Sequence, residues 1–276
     1  MPFLSTSQFW QLKISQPPVH DLVLAGSSRV FLAVSPRHMA RVMPGRSIYN
    51  FGFVACSLDS AYLEHASRLL DPGSDAPSMV LCVSPQGFMR RTRTNENFGY
   101  LYWSSQPTPN HRLLLKQIAR DNLWGIALAR SAGRNISRLL RREALGGYCC
   151  NGWEASLARR RDPDDYAHRY EQVYKRQAID LDMVEEFLDS VQSLQRRGIS
   201  VFGFRPPGEA SMRRVEDLRS GVDFAELARR FDSAGGTWLA VDETRFPTYD
   251  GVHMGYKSAR RFSRHLARLI AEAERS

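Results

Sequence analysis

The sequence has few of the patterns that identify metal-binding, disulfide-rich or membrane proteins. Its four cysteines, at positions 56, 82, 149 and 150, include no CxxC pair and no His/Cys cluster at zinc-ligand spacing. We therefore expect reduced or buried thiols, no metal and no organic cofactor. No run approaches the roughly 20 apolar residues that span a bilayer, so we expect no membrane segment.

The first residues also lack a basic segment followed by an apolar one, and so do not resemble a signal peptide. The sequence as it stands predicts a soluble, cytoplasmic protein. A periplasmic or envelope-associated protein is the alternative, if an upstream anchor has been removed. Nothing in the sequence predicts an oligomeric state.

Lysine is scarce, because 34 of the 38 basic residues are arginine, and the net charge is +9. Arginine suits bidentate contacts with carboxylates and phosphates, so an anionic partner is one interpretation of this surface. The other is a solvated arginine-rich surface without a specific partner. We expect no nucleic acid, since the sequence contains no recognised binding module and no alternation of aromatic and basic residues.

Short apolar runs alternate with amphipathic stretches over a chain of 276 residues, which favours one domain, 1–276, with a large core. This alternation predicts a three-layer α/β fold with a mostly parallel, five-stranded sheet and helices on both faces. The predicted strands are Asp21–Ala25, Arg46–Gly52, Ser78–Val83, Ile199–Phe204 and Thr237–Val241. The predicted helices of the core are Leu58–Leu70, Asp180–Arg197, Ser211–Ser220, Asp223–Asp232 and Gly255–Glu274.

Residues 85–180 do not follow this rhythm and contain paired aromatic segments, arginine clusters and a predicted helix, His111–Asn122. We interpret them as an insertion after the third strand. Ligands of open α/β sheets bind at the carboxyl ends of the strands, where this insertion leaves the sheet. It is therefore either a lid or a structural cap without substrate contact.

Three candidate features lie where predicted strands end. Ser28 follows the first, Gly52 ends the second, and Asp250 and His253 follow the fifth. A serine at a strand-to-helix turn can present its hydroxyl at the sheet edge, and a histidine oriented by an aspartate can remove its proton. Each residue also has a plainer interpretation: Ser28 as a helix cap, Asp250 as part of an ordinary turn, and His253 as a helix-start residue.

This layout resembles the SGNH (GDSL-like) hydrolase superfamily. The segment 26–28, Gly-Ser-Ser, is similar to its Gly-Asp-Ser turn with Ser in place of Asp, which implies Ser28 as the nucleophile. The segment 50–52, Asn-Phe-Gly, is similar to the second block and implies Gly52 as an oxyanion donor. Asp250-Gly-Val-His253 matches the Asp-x-x-His block near the C-terminus.

The third block departs from the superfamily pattern, because Ser84-Pro-Gln-Gly87 stands where Gly-x-Asn-Asp is expected. Gln86 falls near the Asn position and is the candidate replacement donor, beside the backbone amides of Ser28 and Gly52. Arg29 is either a structural ion-pair residue or a cation on the oxyanion side. Asn50 and Arg205 are further candidates for substrate contact.

Within the superfamily, the sequence is most similar to a divergent branch that includes proteins tied to acylation of bacterial cell-surface polymers. This resemblance implies a serine-dependent esterase or O-acyltransferase. The expected substrate is an acyl ester, with acetyl as the expected acyl group and a carbohydrate or envelope polymer as the expected carrier. The alternative is a catalytically degenerate scaffold that binds an anionic polymer or protein partner. The replaced Asp and missing Asn favour that alternative, whereas the intact Asp-x-x-His disfavours it.

Overall fold

Short buried strands form the centre of the molecule, as the apolar runs predict. The computed structural model describes residues 6–89, 146–158 and 161–275. The strands in these ranges are β1 (Leu22–Gly26), β2 (Ile48–Asn50), β3 (Ser78–Cys82), β4 (Gly146–Tyr148), β5 (Glu154–Ser156), β6 (Ser200–Phe204) and β7 (Thr237–Trp238). Five of them form one parallel sheet in the order β2-β1-β3-β6-β7, and β4 and β5 form an antiparallel hairpin.

Helices flank the parallel sheet. Those described are α1 (Thr6–Ile14), α2 (Ser28–Ala33), α3 (Pro36–Met39), α4 (Ser60–Ser67), α5 (Pro163–Arg176), α6 (Leu181–Arg196), α7 (Ala210–Arg219), α8 (Phe224–Ser233) and α9 (Tyr256–Ala273), with a 3-10 turn at Pro85–Phe88. None of these helices has the length and apolar character needed to cross a membrane. The predicted α/β sandwich with a five-stranded parallel sheet is confirmed.

Alternate residues of the strands enter two separate cores. Val23, Ala25, Met79, Leu81 and Val201 face one core, which also contains side chains from α1, α4, α6 and α8. Their neighbours along the strands face the other, which contains side chains from α2, α3 and α9. Both faces of the sheet are therefore covered by helices, as is usual for parallel sheets.

Helices α1 and α5 lie where no helix was predicted. The sequence before the first strand contains no predicted helix, yet α1 forms there and buries Phe9, Trp10 and Ile14 in the first core. Helix α5 lies within the predicted insertion and begins at Pro163, and the side chain of Asp162 caps its N-terminus. The predicted helix at 111–122 falls outside the described residues.

The β4–β5 hairpin packs against the end of β2. The backbone N–H of Asn50 donates to Asn151 O at 3.0 Å, and the indole N–H of Trp153 donates to Leu32 O at 2.9 Å. A Cβ atom at Gly152 would lie only 2.0 Å from Asn50 O, and Gly152 also has a positive φ of 83°. Glycine is therefore required at this contact.

Replacing Gly152 with Ala is expected to destabilise the protein more than replacing Gly198 with Ala. Both glycines have a similar positive φ, 83° and 78°, but a Cβ at Gly198 would meet nothing within 4 Å. We expect a loss of about 1 kcal/mol for Gly198→Ala from backbone strain alone. Gly152→Ala should lose about 1–3 kcal/mol more from overpacking. Chemical denaturation at 25 °C measures both, and equal losses would contradict the close packing of the hairpin.

Candidate active site

Strand β1 ends at the point where the sheet reverses its order. It lies between β2 and β3, so the chain leaves it toward one side and later returns on the other. Such a switch point leaves a crevice at the carboxyl ends of the strands. Gly26 ends β1, and a Cβ there would lie 2.9 Å from both Cβ and O of Cys82 at the end of β3. The tight turn that follows places Ser28 at the start of α2, with Ser27 as the N-cap residue.

Ser28, His253 and Asp250 form a continuous chain of hydrogen bonds at this edge. The Ser28 Oγ lies 2.8 Å from His253 Nε2, and His253 Nδ1 lies 2.8 Å from Asp250 Oδ2. Ser28 is half-buried, whereas the other two residues are buried. With the Nδ1 proton held by the carboxylate, Nε2 can accept the Ser28 proton, which is the arrangement of an acyl-transfer triad.

The Asp250 carboxylate is fixed by its own loop as well as by the imidazole. Its Oδ1 accepts the backbone N–H groups of His253 and Val252 at 2.9 and 3.2 Å. Burial raises the pKa of Asp250, but its hydrogen bonds and attraction to His253, together with these two amides, outweigh burial and hold the pKa below its usual value. The carboxylate is therefore ionised at neutral pH and can stabilise an imidazolium.

Aromatic rings surround the imidazole. The ring of Tyr166, on α5, meets His253 edge-on at 5.8 Å between centroids, and Tyr249 stacks at 6.0 Å. Burial and the Asp250 charge raise the pKa of Tyr166, so its hydroxyl stays protonated. The last helix of the predicted insertion therefore contributes to the wall of this site.

This contribution of α5 was not predicted from the sequence. Tyr166, Tyr170 and Tyr174 recur at intervals of four residues and share one helical face. The Asp162-Pro163 start signal together with that spacing could have indicated an aromatic helix here.

Of the predicted oxyanion donors, the structure leaves one unengaged. Across the described ranges, the Ser28 backbone N–H donates to no residue. The Gly52 N–H instead donates to Asn50 Oδ1 at 2.9 Å, and Gln86 Nε2 donates to the Tyr174 hydroxyl at 2.7 Å. The Gly52 N–H is therefore already engaged by a protein acceptor, as is one of the two N–H groups of the Gln86 amide.

Asn50 is a structural residue, and its predicted substrate contact is wrong. Its side chain is fully buried. Its Nδ2 donates to the carbonyls of Val30 and Val34 at 2.9 and 2.6 Å, while its Oδ1 accepts from Gly52. These bonds join the end of β2 to α2, because a buried amide must satisfy its own polar atoms.

Arg29 and Arg205, the other predicted substrate contacts, both bind the buried carboxylate of Glu216. Arg29 Nη1 lies 2.5 Å from Glu216 Oε1, and its Nη2 donates to the carbonyls of Pro206 and Pro207. Arg205 Nη2 lies 3.1 Å from Glu216 Oε2, and its guanidinium lies over the Phe224 ring, 4.1 Å from the centroid. Of the two interpretations of Arg29, the structure supports the structural ion pair.

The described residues include no group of three or more His, Cys, Asp or Glu side chains that could hold a metal ion.

Comparisons with known proteins add little to this geometry. No protein-family model matches the chain, and no curated protein matches it either. A solved structure from Streptococcus pneumonia, described provisionally as a platelet activating factor, aligns with 97% of this chain and 90% of its own. The TM-score is 0.44 at 10% sequence identity, which supports no inference about family or activity.

Replacing Glu216 with Gln is expected to destabilise the fold strongly. The change leaves the buried Arg29 without its carboxylate partner, and breaking a buried pair typically costs about 3–5 kcal/mol, whereas Arg205 keeps its ion pair with Asp217. Glu64→Gln is the matched control, because Glu64 pairs with two arginines at the surface and should change stability by about 1 kcal/mol or less. Equal unfolding free energies for the two variants would contradict the structural role of Arg29.

Proposed function

We propose that this chain is a serine-dependent esterase or O-acyltransferase of the SGNH type. The observation that carries the proposal is the hydrogen-bonded chain from Ser28 Oγ through His253 to Asp250, with both bonds at 2.8 Å. The parallel sheet and the position of Ser28 directly after β1 support the superfamily assignment. The proposed substrate is an acyl ester, with acetyl as the acyl group and a carbohydrate or envelope polymer as its carrier.

In the proposed reaction, His253 Nε2 takes the Ser28 proton as the oxygen attacks the acyl carbonyl. Asp250 holds the Nδ1 proton and stabilises the imidazolium. The tetrahedral intermediate collapses, and His253 returns the proton to the leaving alcohol. Water or an acceptor hydroxyl then attacks the acyl-serine, with His253 again as the base, and Ser28 regains its proton.

Oxyanion stabilisation is the weakest part of this site. The Ser28 amide is the one predicted donor without an acceptor among the described residues. Each missing donor typically costs about 3 kcal/mol of transition-state stabilisation. We therefore expect slow turnover of unactivated esters and faster reaction with activated ones, whose carbonyls need less assistance.

The engaged Gly52 and Gln86 amides also favour the second candidate function, a degenerate scaffold that binds an anionic polymer or protein without catalysis. This candidate predicts salt-dependent binding of a polyanion that Ser28→Ala leaves unchanged, with no ester hydrolysis. The intact hydrogen bonds of His253 favour the enzyme, because a pure binding protein needs no imidazole poised on a hydroxyl.

Labelling with a fluorophosphonate probe tests the nucleophile directly. We expect the wild type and Ser27→Ala to be labelled, and Ser28→Ala to remain unlabelled. Ser27 is the matched control, because it is the adjacent serine and its hydroxyl caps α2. Equal labelling of all three proteins, or ester turnover that survives Ser28→Ala, would rule out the proposed mechanism.

Asp250→Asn is expected to lower kcat on p-nitrophenyl acetate by about 10³–10⁴-fold, because an amide cannot hold the required histidine tautomer. Asp223→Asn is the control. Asp223 caps α8, and Asn caps a helix as well as Asp does, so its kcat should match the wild type. A wild-type kcat for Asp250→Asn would show that this carboxylate does not orient His253.

A further inference from the structure

Lys13 is a fully buried lysine within an aromatic cage. It lies on α1 and its side chain is 0% exposed. Its Nζ lies between 4.7 and 5.6 Å from the centroids of four rings, Phe31, Phe53, Phe9 and Trp10. Cation–π attraction offsets part of the cost of burying an ammonium group, but an apolar side chain would avoid that cost altogether. The presence of a buried amine is therefore explained by its hydrogen-bond partners.

The amine holds two backbone carbonyls from distant parts of the chain. Lys13 Nζ donates to Gly52 O at 2.5 Å and to Gly152 O at 2.9 Å. It thus joins α1, the loop after β2 and the β4–β5 hairpin. Burial lowers the pKa of Lys13 well below its usual value, opposed by Cys56 and Glu154. Both protonation states of the amine retain at least two N–H donors, enough for both carbonyls.

The contact with Gly52 continues to the turn that carries Ser28. The Gly52 carbonyl shares a peptide unit with the Phe53 N–H, which donates to Gly26 O at 3.0 Å. Gly26 precedes Ser28 by two residues, and its own N–H donates to the Tyr62 hydroxyl at 2.8 Å. One rigid peptide plane therefore lies between the buried amine and the serine turn.

We propose that Lys13 is a positioning residue for the Ser28-dependent reaction, acting through the peptide between Gly52 and Phe53 on the turn that presents the Ser28 hydroxyl. This inference rests on the proposed function. Lys13 does not touch the reacting atoms. Its effect is to fix the backbone on which the short Ser28–His253 bond depends, and small displacements of reacting groups are costly in rate.

Lys13→Met tests the inference, because methionine has a similar length and an apolar end that suits the cage. We expect the rate of fluorophosphonate labelling and kcat on p-nitrophenyl acetate to fall by about 10–100-fold, with little change in KM. Lys257→Met, the same change at an exposed site on α9, should behave as the wild type. Lys13→Arg should recover part of the loss, because it retains N–H donors and charge.

The unfolding midpoint of each variant is measured alongside, so that activity is expressed per folded molecule. A Lys13→Met protein labelled at the wild-type rate, or one whose loss matches its unfolded fraction, overturns the inference. If Lys13→Met does not fold, Lys13→Gln replaces it. The glutamine side chain is too short for its amide to reach the carbonyls of both Gly52 and Gly152. A wild-type rate for Lys13→Gln, or a failure of this variant to fold as well, therefore also overturns the inference.

These outcomes differ from a failure of the proposed function. If the wild type is not labelled at all, the serine mechanism is wrong, and Lys13 has no reaction to assist. If the wild type is labelled, Ser28→Ala is not, and Lys13→Met equals the wild type, the function stands and only the role of Lys13 is removed.

Discussion

The site depends on the parallel pairing of β1 with β3. All five residues of β1 are buried, and they pair in register with β3 from Leu22–Ser78 to Gly26–Cys82. This pairing allows no movement along the strand without exposing apolar side chains and breaking the ladder. The end of β1, and with it the turn carrying Ser28, is therefore fixed at the centre of the sheet edge. His253, from the other end of the chain, must reach this point through its own loop. That loop is held by the N-cap residue of α7, because the Glu209 N–H donates to Gly251 O at 2.9 Å.

Much of this fold could be predicted from the sequence, because its strands and amphipathic helices have local patterns. The β1, β3 and β6 runs are short, apolar and bounded by turn residues, and the structure places strands there with ends shifted by a residue or so. The edge strands β2 and β7 are shorter than their apolar runs, since each pairs with a single neighbour in the sheet. Helix α1 could not be predicted by periodicity, because it buries Lys13 among its apolar residues and so has no clear polar face.

The candidate site could likewise be predicted from the sequence only where local motifs indicate it. Ser28, Asp250 and His253 could be proposed because their roles follow from short motifs at strand ends, and the structure brings these three side chains together. The partners of Arg29, Asn50 and Arg205 could not, because no short motif connects these residues to the groups that they bind. Arg29 meets Glu216, 187 positions later. A polar residue at a strand end can serve a substrate or the fold, and only its three-dimensional neighbours decide between them.

Two described parts of the predicted insertion, the β4–β5 hairpin and α5, contact the elements that surround the triad. The hairpin accepts the Asn50 N–H through Asn151 O and the Lys13 amine through Gly152 O. Helix α5 places Tyr166 against His253 and accepts the Gln86 amide on the Tyr174 hydroxyl. The hairpin thus holds the end of β2, and α5 contacts both the turn after β3 and the ring of His253. Because these contacts lie at the edge of the sheet that carries Ser28, a change in either segment would act on the surroundings of the triad even though neither segment belongs to the parallel sheet.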